Sequence, residues 1–303
     1  MKTIDDIQNV MIAGAGTLGM RIALRCALDG FNVRMYDINA EQLEVAKGMQ
    51  SHLTKVLLKK GEIDEDQAKK AVDNLLATPS LDEAIENVDL VSESVIEDID
   101  IKLAFYGDLT PRLPSGTIVT TNTSFLLPSQ MLPSIREPEY FCAFHFHDVI
   151  TQPIVDVMPH PKTEQGVIDL LMEFGTRINH IPVFVKKESN GYLFNAMFGE
   201  ILAKAGELYM NDVGSIEDID RSFMGNFHTP AGPFGMMDQI GLDTVWHIMS
   251  KNMATASQPF AAELKQRMEK GNLGYKSGEG FYSYPRPDYA APEFLNKTKT
   301  TDS

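Results

Sequence analysis

The sequence predicts an α/β protein: a mostly parallel sheet with helices on both faces, followed by an all-helical domain. Short β-rich runs alternate with helical segments through the first 187 residues, and a glycine-rich turn follows the first run. After Lys187 the segments look helical and no convincing strand separates them. At about 100–200 residues per domain the length suggests two domains, which we place at residues 1–187 and 188–303.

In the first domain, the nearly apolar run 9–13 predicts a strand, and residues 17–29 have apolar side chains at helical spacing up to Gly30. The polar stretch 40–76 predicts a helical hairpin with Gly61 at its tip. Further strands are predicted at residues 33–36, 88–95, 117–121, 140–146, 154–158 and 181–185.

In the second domain, the patterns predict helices at residues 192–210, 216–223, 244–254 and 260–271. Ser215, followed three residues later by Asp218, resembles a capping box and predicts the start of the second of these helices.

Composition limits the partners and the compartment. With 43% hydrophobic and 23% charged residues, the chain is an ordinary globular protein, and its net charge of −15 opposes binding to nucleic acid or to an anionic membrane. Two cysteines are too few for a disulfide framework, the N-terminus lacks a secretory pattern, and no apolar stretch approaches the roughly 18 residues of a membrane span. We expect a cytoplasmic protein with a small-molecule substrate, and neither a nucleic acid nor a membrane partner.

The glycine-rich turn has the spacing G-x-G-x-x-G between a strand and a helix. Its first glycine permits the tight turn, its second lets the backbone approach a pyrophosphate, and its third lets helix and strand pack closely. The helix N-terminus then supplies N–H donors and partial positive charge for phosphates. The predicted dinucleotide-binding residues of this Rossmann-type turn are Gly14, Gly16, Thr17, Leu18 and Gly19. A purely structural glycine turn is the alternative.

Asp37 ends the second predicted strand, 18 residues after Gly19. A carboxylate there can accept hydrogen bonds from a ribose and would repel a 2′-phosphate. Ile38 and Asn39 follow it, so no basic residue is adjacent. The cofactor is therefore predicted to be NAD rather than NADP.

His145 and His147 fall on one face of a strand if the strand extends that far, and Asp156 lies on the next run, which could return alongside. A histidine held by a carboxylate is a suitable general base for removing a hydroxyl proton while a hydride passes to nicotinamide. A metal site is one competing interpretation, but no third imidazole is close in sequence, so we expect no metal. A structural histidine is the other.

Several ordered motifs resemble those of the 3-hydroxyacyl-CoA dehydrogenase family across nearly the whole chain. They are residues 92–97 (SESVIE, like V-E-A-V-x-E), 121–124 (TNTS, like S-N-T-S), 190–195 (NGYLFN, like P-G-F-x-x-N), 232–243 with its GPF and GLD, and 277–282 (SGEGFY). His145 matches the catalytic histidine of the family, and Asp156 stands near the place of its partner glutamate.

The resemblance implies the remaining roles. Glu97, Lys102 and Asn122 would lie at the cofactor, with Glu97 and Lys102 at its nicotinamide half. Ser124 and Asn195 would bind the reacting oxygens of the substrate. His145 would be the base and Asp156 its orienting acid. The helical domain would complete the cleft and form the interface of a homodimer.

The chain departs from the family beside the histidine. The family usually has H-F-F-N-P where residues 145–149 are HFHDV, and the partner acid is an aspartate one residue closer. Asp148 in place of asparagine removes two donors and introduces a negative charge when ionised. We predict an NAD-dependent dehydrogenase of L-3-hydroxyacyl-CoA, with Lys55, Lys59 and Lys60 as candidate coenzyme A contacts. A non-CoA hydroxy acid, or a non-catalytic NAD-binding role, are the alternatives.

Overall fold

The structure is a computed structural model that describes residues 2–151, 153–251 and 258–296. It divides into two compact units, one up to Leu193 and the other from Phe194 onward. This division falls a few residues after the predicted boundary at Lys187. Within the described ranges, no helix has both the length and the apolar character that crossing a membrane requires.

The first unit contains one eight-stranded sheet in the order β3-β2-β1-β4-β5-β6-β7-β8. Only β6 and β7 pair antiparallel; all other neighbours are parallel. The strands are β1 (Asn9–Ala13), β2 (Asn32–Tyr36), β3 (Leu75–Thr78), β4 (Leu90–Glu93), β5 (Ile118–Thr121), β6 (Phe141–Phe146), β7 (Ile154–Met158) and β8 (Ile181–Phe184). The mostly parallel sheet predicted from the sequence is confirmed.

Helices cover both faces of this sheet. Successive β1 residues point to opposite faces of the sheet. Ile12 lies in a hydrophobic cluster with residues of the first and last helices of the unit. Met11 lies in a second hydrophobic cluster, which includes Tyr106. The helices are α1 (Thr17–Leu28), α2 (Ala40–Lys60), α3 (Glu65–Asp73), α4 (Leu81–Ala84), α5 (Ile99–Leu109) and α6 (Gln165–Arg177).

The predicted hairpin 40–76 is wrong at its end. α2 and α3 form it, and Gly61 caps α2 in the left-handed region at φ 70°. Leu75 and Leu76, however, belong to β3, which pairs with β2. β3 is a four-residue edge strand with Leu76 44% exposed, so its pattern is too short and too mixed to separate it from the preceding helix.

The second unit is helical, and among residues 194–251 and 258–296 it forms isolated bridges but no strand. Ser215 caps α8 as expected, its Oγ accepting from the Asp218 amide at 3.1 Å. α9, which begins at Pro233, was not predicted, and residues 252–254 of the predicted 244–254 helix lie outside the described residues. The helices are α7 (Phe194–Met210), α8 (Ile216–Phe227), α9 (Pro233–Ile240), α10 (Leu242–Lys251) and α11 (Gln258–Glu269).

Two completely buried carboxylates organise the core of this unit. Asp220 accepts hydrogen bonds from the amides of Phe234 (2.8 Å) and Gly235 (2.9 Å) and from the Tyr282 hydroxyl (3.0 Å). Asp238 accepts from the amides of Phe281 and Tyr282, both at 2.8 Å. Burial raises the pKa of Asp220 to about 6 and also raises the pKa of Asp238. The two side chains tie the chain after α11 to α8 and α9.

Candidate active site

The candidate site lies at the carboxyl edge of the sheet in the first unit. β1, β4, β5 and β6 are parallel neighbours, so their last residues meet at one edge. The chain order changes direction at β1, which lies between β2 and β4. In open α/β sheets ligands bind outside the carboxyl ends of the strands at such a point.

The glycine turn between β1 and α1 has the geometry of a phosphate-binding turn. Gly14 has φ 102°, and a Cβ there would stand 2.4 Å from the Ser94 carbonyl oxygen. A Cβ on Gly19 would stand 2.0 Å from the Gly14 oxygen, whereas a Cβ on Gly16 would meet no atom within 4 Å. The turn therefore needs two glycines for its own packing, and the third leaves open space in front of the backbone.

That open space fits the phosphates of a dinucleotide. α1 begins after Gly16 without a side-chain cap, so the N–H groups of Thr17 and Leu18 at its exposed start point outward. A negatively charged ligand is stabilised there although the whole protein carries −15.

Asp37 lies beside this turn at the end of β2. Its Oδ2 accepts from the Ala15 amide at 2.8 Å and its Oδ1 from the Asn39 amide at 2.9 Å. A carboxylate has about four lone-pair positions, so acceptors remain for ribose hydroxyls. Ile38 is 84% exposed and carries no charge that could hold a 2′-phosphate.

His145 lies between a hydroxyl and a carboxylate. β6 and β7 pair so that Asp156 is directly opposite His145, and the Nδ1 to Oδ2 distance is 3.2 Å. On the other side of the ring, Nε2 lies 3.2 Å from the Ser124 Oγ. With the Nδ1 proton donated to Asp156, Nε2 presents its lone pair toward the hydroxyl. The structure thus brings together three of the four predicted catalytic residues.

The protonation states suit a general base. Burial lowers the pKa of His145, and the hydrogen bond to Asp156 only partly opposes this, so the ring is neutral at neutral pH. Burial alone would raise the pKa of Asp156, but hydrogen bonds from His145 and His147 lower it below its usual value. Asp156 is therefore ionised at neutral pH.

The loop after β5 is held by Glu97, which places Ser124. One Glu97 oxygen accepts from the Thr123 hydroxyl and from the amides of Ser124 (3.0 Å) and Phe125 (3.2 Å). Tyr192 supports the same loop: its hydroxyl donates to the Thr123 carbonyl at 2.7 Å. The Tyr192 ring also stacks on His145, with centroids 4.6 Å apart and planes 18° apart. Tyr192 was not among the site residues predicted from the sequence.

Lys102 is completely buried, which the sequence did not indicate. Its Nζ lies 2.6 Å from Glu93 Oε1 and 3.4 Å from Glu97 Oε2. Glu93 is also completely buried and accepts from the hydroxyls of Tyr106 (2.8 Å) and Thr121 (2.7 Å). Glu93 is a further residue that the sequence reasoning missed, although it lies inside the quoted 92–97 motif. The nicotinamide contacts of Glu97 and Lys102 stay predictions.

Asn122 connects the ends of three strands. Its Nδ2 donates to the Ser94 hydroxyl at 3.0 Å, and its Oδ1 accepts from the Phe146 amide at 2.9 Å. Asn195 lies in the first turn of α7, in the second unit. The cofactor contact of Asn122 and the substrate contact of Asn195 stay predictions.

The negative charge of Asp148 has a counter-ion. Arg21, on α1, places Nη1 3.0 Å from Asp148 Oδ2, while Oδ1 accepts from the Ile150 amide at 2.7 Å. Asp148 thus supplies an acceptor to its own loop and pairs with α1. The Arg21 pairing was not foreseen from the sequence.

One cluster in the site has the residue types of a metal centre. It consists of His145, His147 and Asp156, and one possible ligand atom of each lies within 4.8 Å of the others. A tetrahedral zinc ion with ligands at about 2.0–2.1 Å would hold its ligand atoms about 3.3 Å apart. His147 Nε2 and Asp156 Oδ2 are only 2.8 Å apart, the length of a charge-assisted hydrogen bond. We therefore interpret the cluster as hydrogen-bonded.

A glycine-rich phosphate-binding turn and a buried imidazole beside a carboxylate, at one sheet edge, are features of nicotinamide-dependent dehydrogenases. The family model for the 3-hydroxyacyl-CoA dehydrogenase NAD binding domain matches residues 9–189, and that for the C-terminal domain matches residues 191–284. The chain belongs to the 3-hydroxyacyl-CoA dehydrogenase family, whose members are NAD-dependent oxidoreductases.

Individual relatives agree with this. A probable 3-hydroxyacyl-CoA dehydrogenase of Caenorhabditis elegans is 29% identical over 294 residues, covering 93% of this chain and 94% of the relative. A solved diketoreductase, described as acting on dicarbonyl compounds, has a TM-score of 0.87 and 36% identity, covering 94% of this chain and 100% of its own. (S)-3-hydroxybutyryl-CoA dehydrogenase from Ralstonia eutropha has a TM-score of 0.84 and 25% identity, covering 92% and 100%.

Proposed function

We propose that the protein oxidises the 3-hydroxyl of a short-chain L-3-hydroxyacyl-CoA to the 3-ketoacyl-CoA. The observation that carries this proposal is the row of Ser124, His145 and Asp156, in which Ser124 Oγ lies 3.2 Å from His145 Nε2 and Asp156 Oδ2 lies 3.2 Å from His145 Nδ1. It places a neutral base beside a hydroxyl that can hold the substrate oxygen.

In this reaction the substrate hydroxyl loses its proton to Nε2 of His145, and the C3 hydrogen leaves with its bonding electrons. Bound NAD supplies the acceptor for that hydride. Asp156 keeps the other proton on Nδ1 and stabilises the imidazolium that forms. In the proposal Ser124 donates a hydrogen bond to the reacting oxygen, and Asn195 gives a second polar contact.

The test is NADH absorbance with 3-hydroxybutyryl-CoA, for the wild type and for His145→Ala. General-base removal typically costs about 10²–10⁴-fold in rate, while NAD binding at the glycine turn should remain. Failure of the wild type to turn over hydroxyacyl-CoA of any chain length would contradict the proposal.

A second candidate is a β-dicarbonyl or 3-hydroxy compound without coenzyme A. It is favoured by the 36% identity to the diketoreductase, against 25% for the 3-hydroxybutyryl-CoA dehydrogenase. The chemistry at the reacting carbon is the same, run as ketone reduction, so only recognition of the rest of the substrate differs.

The α2 lysines can distinguish the two candidates. Lys55 and Lys59 are exposed, and Lys60 lies 3.5 Å from Glu62. If coenzyme A phosphates bind there, Lys55→Glu with Lys59→Glu raises KM for 3-hydroxybutyryl-CoA and leaves KM for a diketo ester unchanged. If the double variant keeps the wild-type KM for both substrates, the result would favour the substrate without coenzyme A.

We also propose a cytoplasmic homodimer with a place in fatty acid metabolism. Both cysteines are buried and unpaired, which suits a reducing compartment. Met197 and Ile201, one turn apart on α7, are 63% and 39% exposed. Covering such apolar side chains favours a second copy. Light scattering of wild type and Met197→Glu tests this, with a monomeric wild type as the contrary result.

A further inference from the structure

His147 shares the carboxylate that orients the base. It lies two residues after His145 on the same side of the sheet, and the two ring centroids are 5.0 Å apart. Its Nε2 lies 2.8 Å from Asp156 Oδ2, the same oxygen that His145 Nδ1 approaches at 3.2 Å. A single carboxylate oxygen therefore serves both imidazoles, and His147 has the shorter contact.

The shared contact is expected to change the protonation of His145 in one direction. Each hydrogen bond that an anionic oxygen accepts withdraws part of its charge from other donors. The bond from His147 therefore weakens the support that Asp156 gives to a protonated His145. It also holds the carboxylate in place, since β7 fixes only the backbone of Asp156 opposite His145.

The other groups that face this cluster do not reproduce the effect. Glu97, from the loop after β4, favours protonated His145 through its charge. Tyr192 stacks on His145 with a neutral ring, since burial raises its pKa well above the usual value. Ser124 contacts the opposite nitrogen of His145. On the β8 side, the residue paired with Asp156 is the uncharged Val183.

We propose that His147 is a positioning residue for the dehydrogenase reaction: by donating to the oxygen of Asp156 that His145 uses, it fixes this carboxylate and moderates its hold on the catalytic imidazole. The proposal rests on the proposed role of His145. It concerns this chain in particular, because the family sequence H-F-F-N-P carries phenylalanine where His147 stands.

The experiment compares His147→Phe, which removes the donor, with His147→Gln, whose amide can still donate to Asp156. The readouts are the pH profile of kcat/KM for oxidation and NMR titration of the His145 ring. In His147→Phe we expect the protonation constant of His145 to rise about threefold to tenfold, the factor of one typical hydrogen bond. The acid limb of the kcat/KM profile therefore moves to higher pH, and kcat/KM at pH 9 changes little. His147→Gln should keep the wild-type midpoint.

The matched control is His180→Phe. His180 is buried and its ring contacts Phe146, but its Nδ1 lies 2.9 Å from the Ile178 carbonyl oxygen rather than beside a carboxylate. Its midpoint should equal that of the wild type. If His147→Phe does not fold, His147→Met removes the donor with a more adaptable side chain. An unmoved midpoint in the donor-free variants, or the same movement in His147→Gln, overturns the proposal.

The experiments can refute the proposed function and the proposed role of His147 independently of each other. The NMR titration needs no turnover, so a wild type inactive on every hydroxyacyl substrate would refute the proposed function while His145 still reports the coupling. Turnover that depends on His145, together with superimposable profiles for wild type and His147→Phe, would refute only the role of His147.

Discussion

The two units bury their carboxylates with different partners. In the first unit, Glu93 pairs with the ammonium of Lys102, and Asp156 accepts from two imidazoles. In the second unit, Asp220 and Asp238 accept from backbone amides and tyrosine hydroxyls, and neither has an ion-pair partner among the described residues.

The difference shows in their acidities. The pKa of Asp156 is lowered by its histidine partners, whereas burial raises the pKa of Asp220 to about 6. Hydrogen bonds from neutral donors lower the pKa of both carboxylates, but around Asp220 they do not outweigh the cost of burying the charge. Cationic or chargeable partners thus accompany the buried carboxylates of the unit that carries the proposed active site, and neutral donors accompany those that connect segments of the second unit.

The largest effect is expected at Asp156. Asp156→Asn removes the anion that stabilises the imidazolium in the proposed mechanism, so kcat should fall by about 10²–10⁴-fold. NADH absorbance measures the loss, and Asp148→Asn is the matched control, because Asp148 lies on the segment that connects β6 to β7 and contacts Arg21 rather than His145. Equal losses in the two variants would contradict the role given to Asp156.

Lys102→Met should have the next largest effect. It leaves Glu93 as an unpaired charge in the interior, which typically costs about 3–5 kcal/mol of unfolding free energy. Urea unfolding followed by circular dichroism gives the value. Combining it with Glu93→Gln should recover part of the loss, since the unpaired charge is then gone. A double variant no more stable than Lys102→Met would refute the charge argument.

Asp220→Asn should cost about 1–3 kcal/mol, because the amide nitrogen cannot accept from a buried backbone N–H. The folded-state pKa of about 6 lies above the reference value of 3.8. The folded protein therefore binds this proton more tightly, and ionisation of Asp220 weakens the fold as pH rises through 6.

Unfolding at pH 5 and 7 should accordingly differ less in Asp220→Asn than in the wild type. The exposed Asp212→Asn serves as control and should keep the wild-type difference. An unchanged pH dependence in Asp220→Asn would show that another group is responsible.

The smallest effect is expected for Arg21→Met. Arg21 and Asp148 are 28% and 25% exposed, so their ion pair is partly screened and contributes about 1 kcal/mol or less. The loss, measured by urea unfolding, should shrink further in 1 M salt. A loss as large as that of Lys102→Met would mean that exposure does not decide the energy of these pairs.

The elements that sequence predicted best are those with strong local signals. β1, the glycine turn and α1 follow from an apolar run, three spaced glycines and helical periodicity, and His145 with Asp156 followed from strand alternation and the return of β7. β3 was missed because its four residues range from exposed to buried without a distinct period.

The missed site residues depend on tertiary contacts. Nothing local marks Lys102 as buried, since a lysine on a helix is ordinarily exposed, and its burial depends on Glu93 nine positions earlier. Tyr192 meets Thr123 and His145 from far along the chain. The sharing of Asp156 required the side-chain distances, because alternation gives only the face on which His147 lies.

The antiparallel pairing of β7 with β6 makes the spacing of His145 and Asp156 independent of the segment that connects the two strands. The hydrogen-bonded pairing of the two strands places Asp156 directly opposite His145, and this pairing sets the distance between the two side chains. A change in the segment that connects β6 and β7 therefore leaves the spacing of His145 and Asp156 unchanged as long as this strand pairing is kept. An aspartate on β7 therefore reaches the imidazole across the paired strands, although its side chain is one methylene shorter than that of a glutamate.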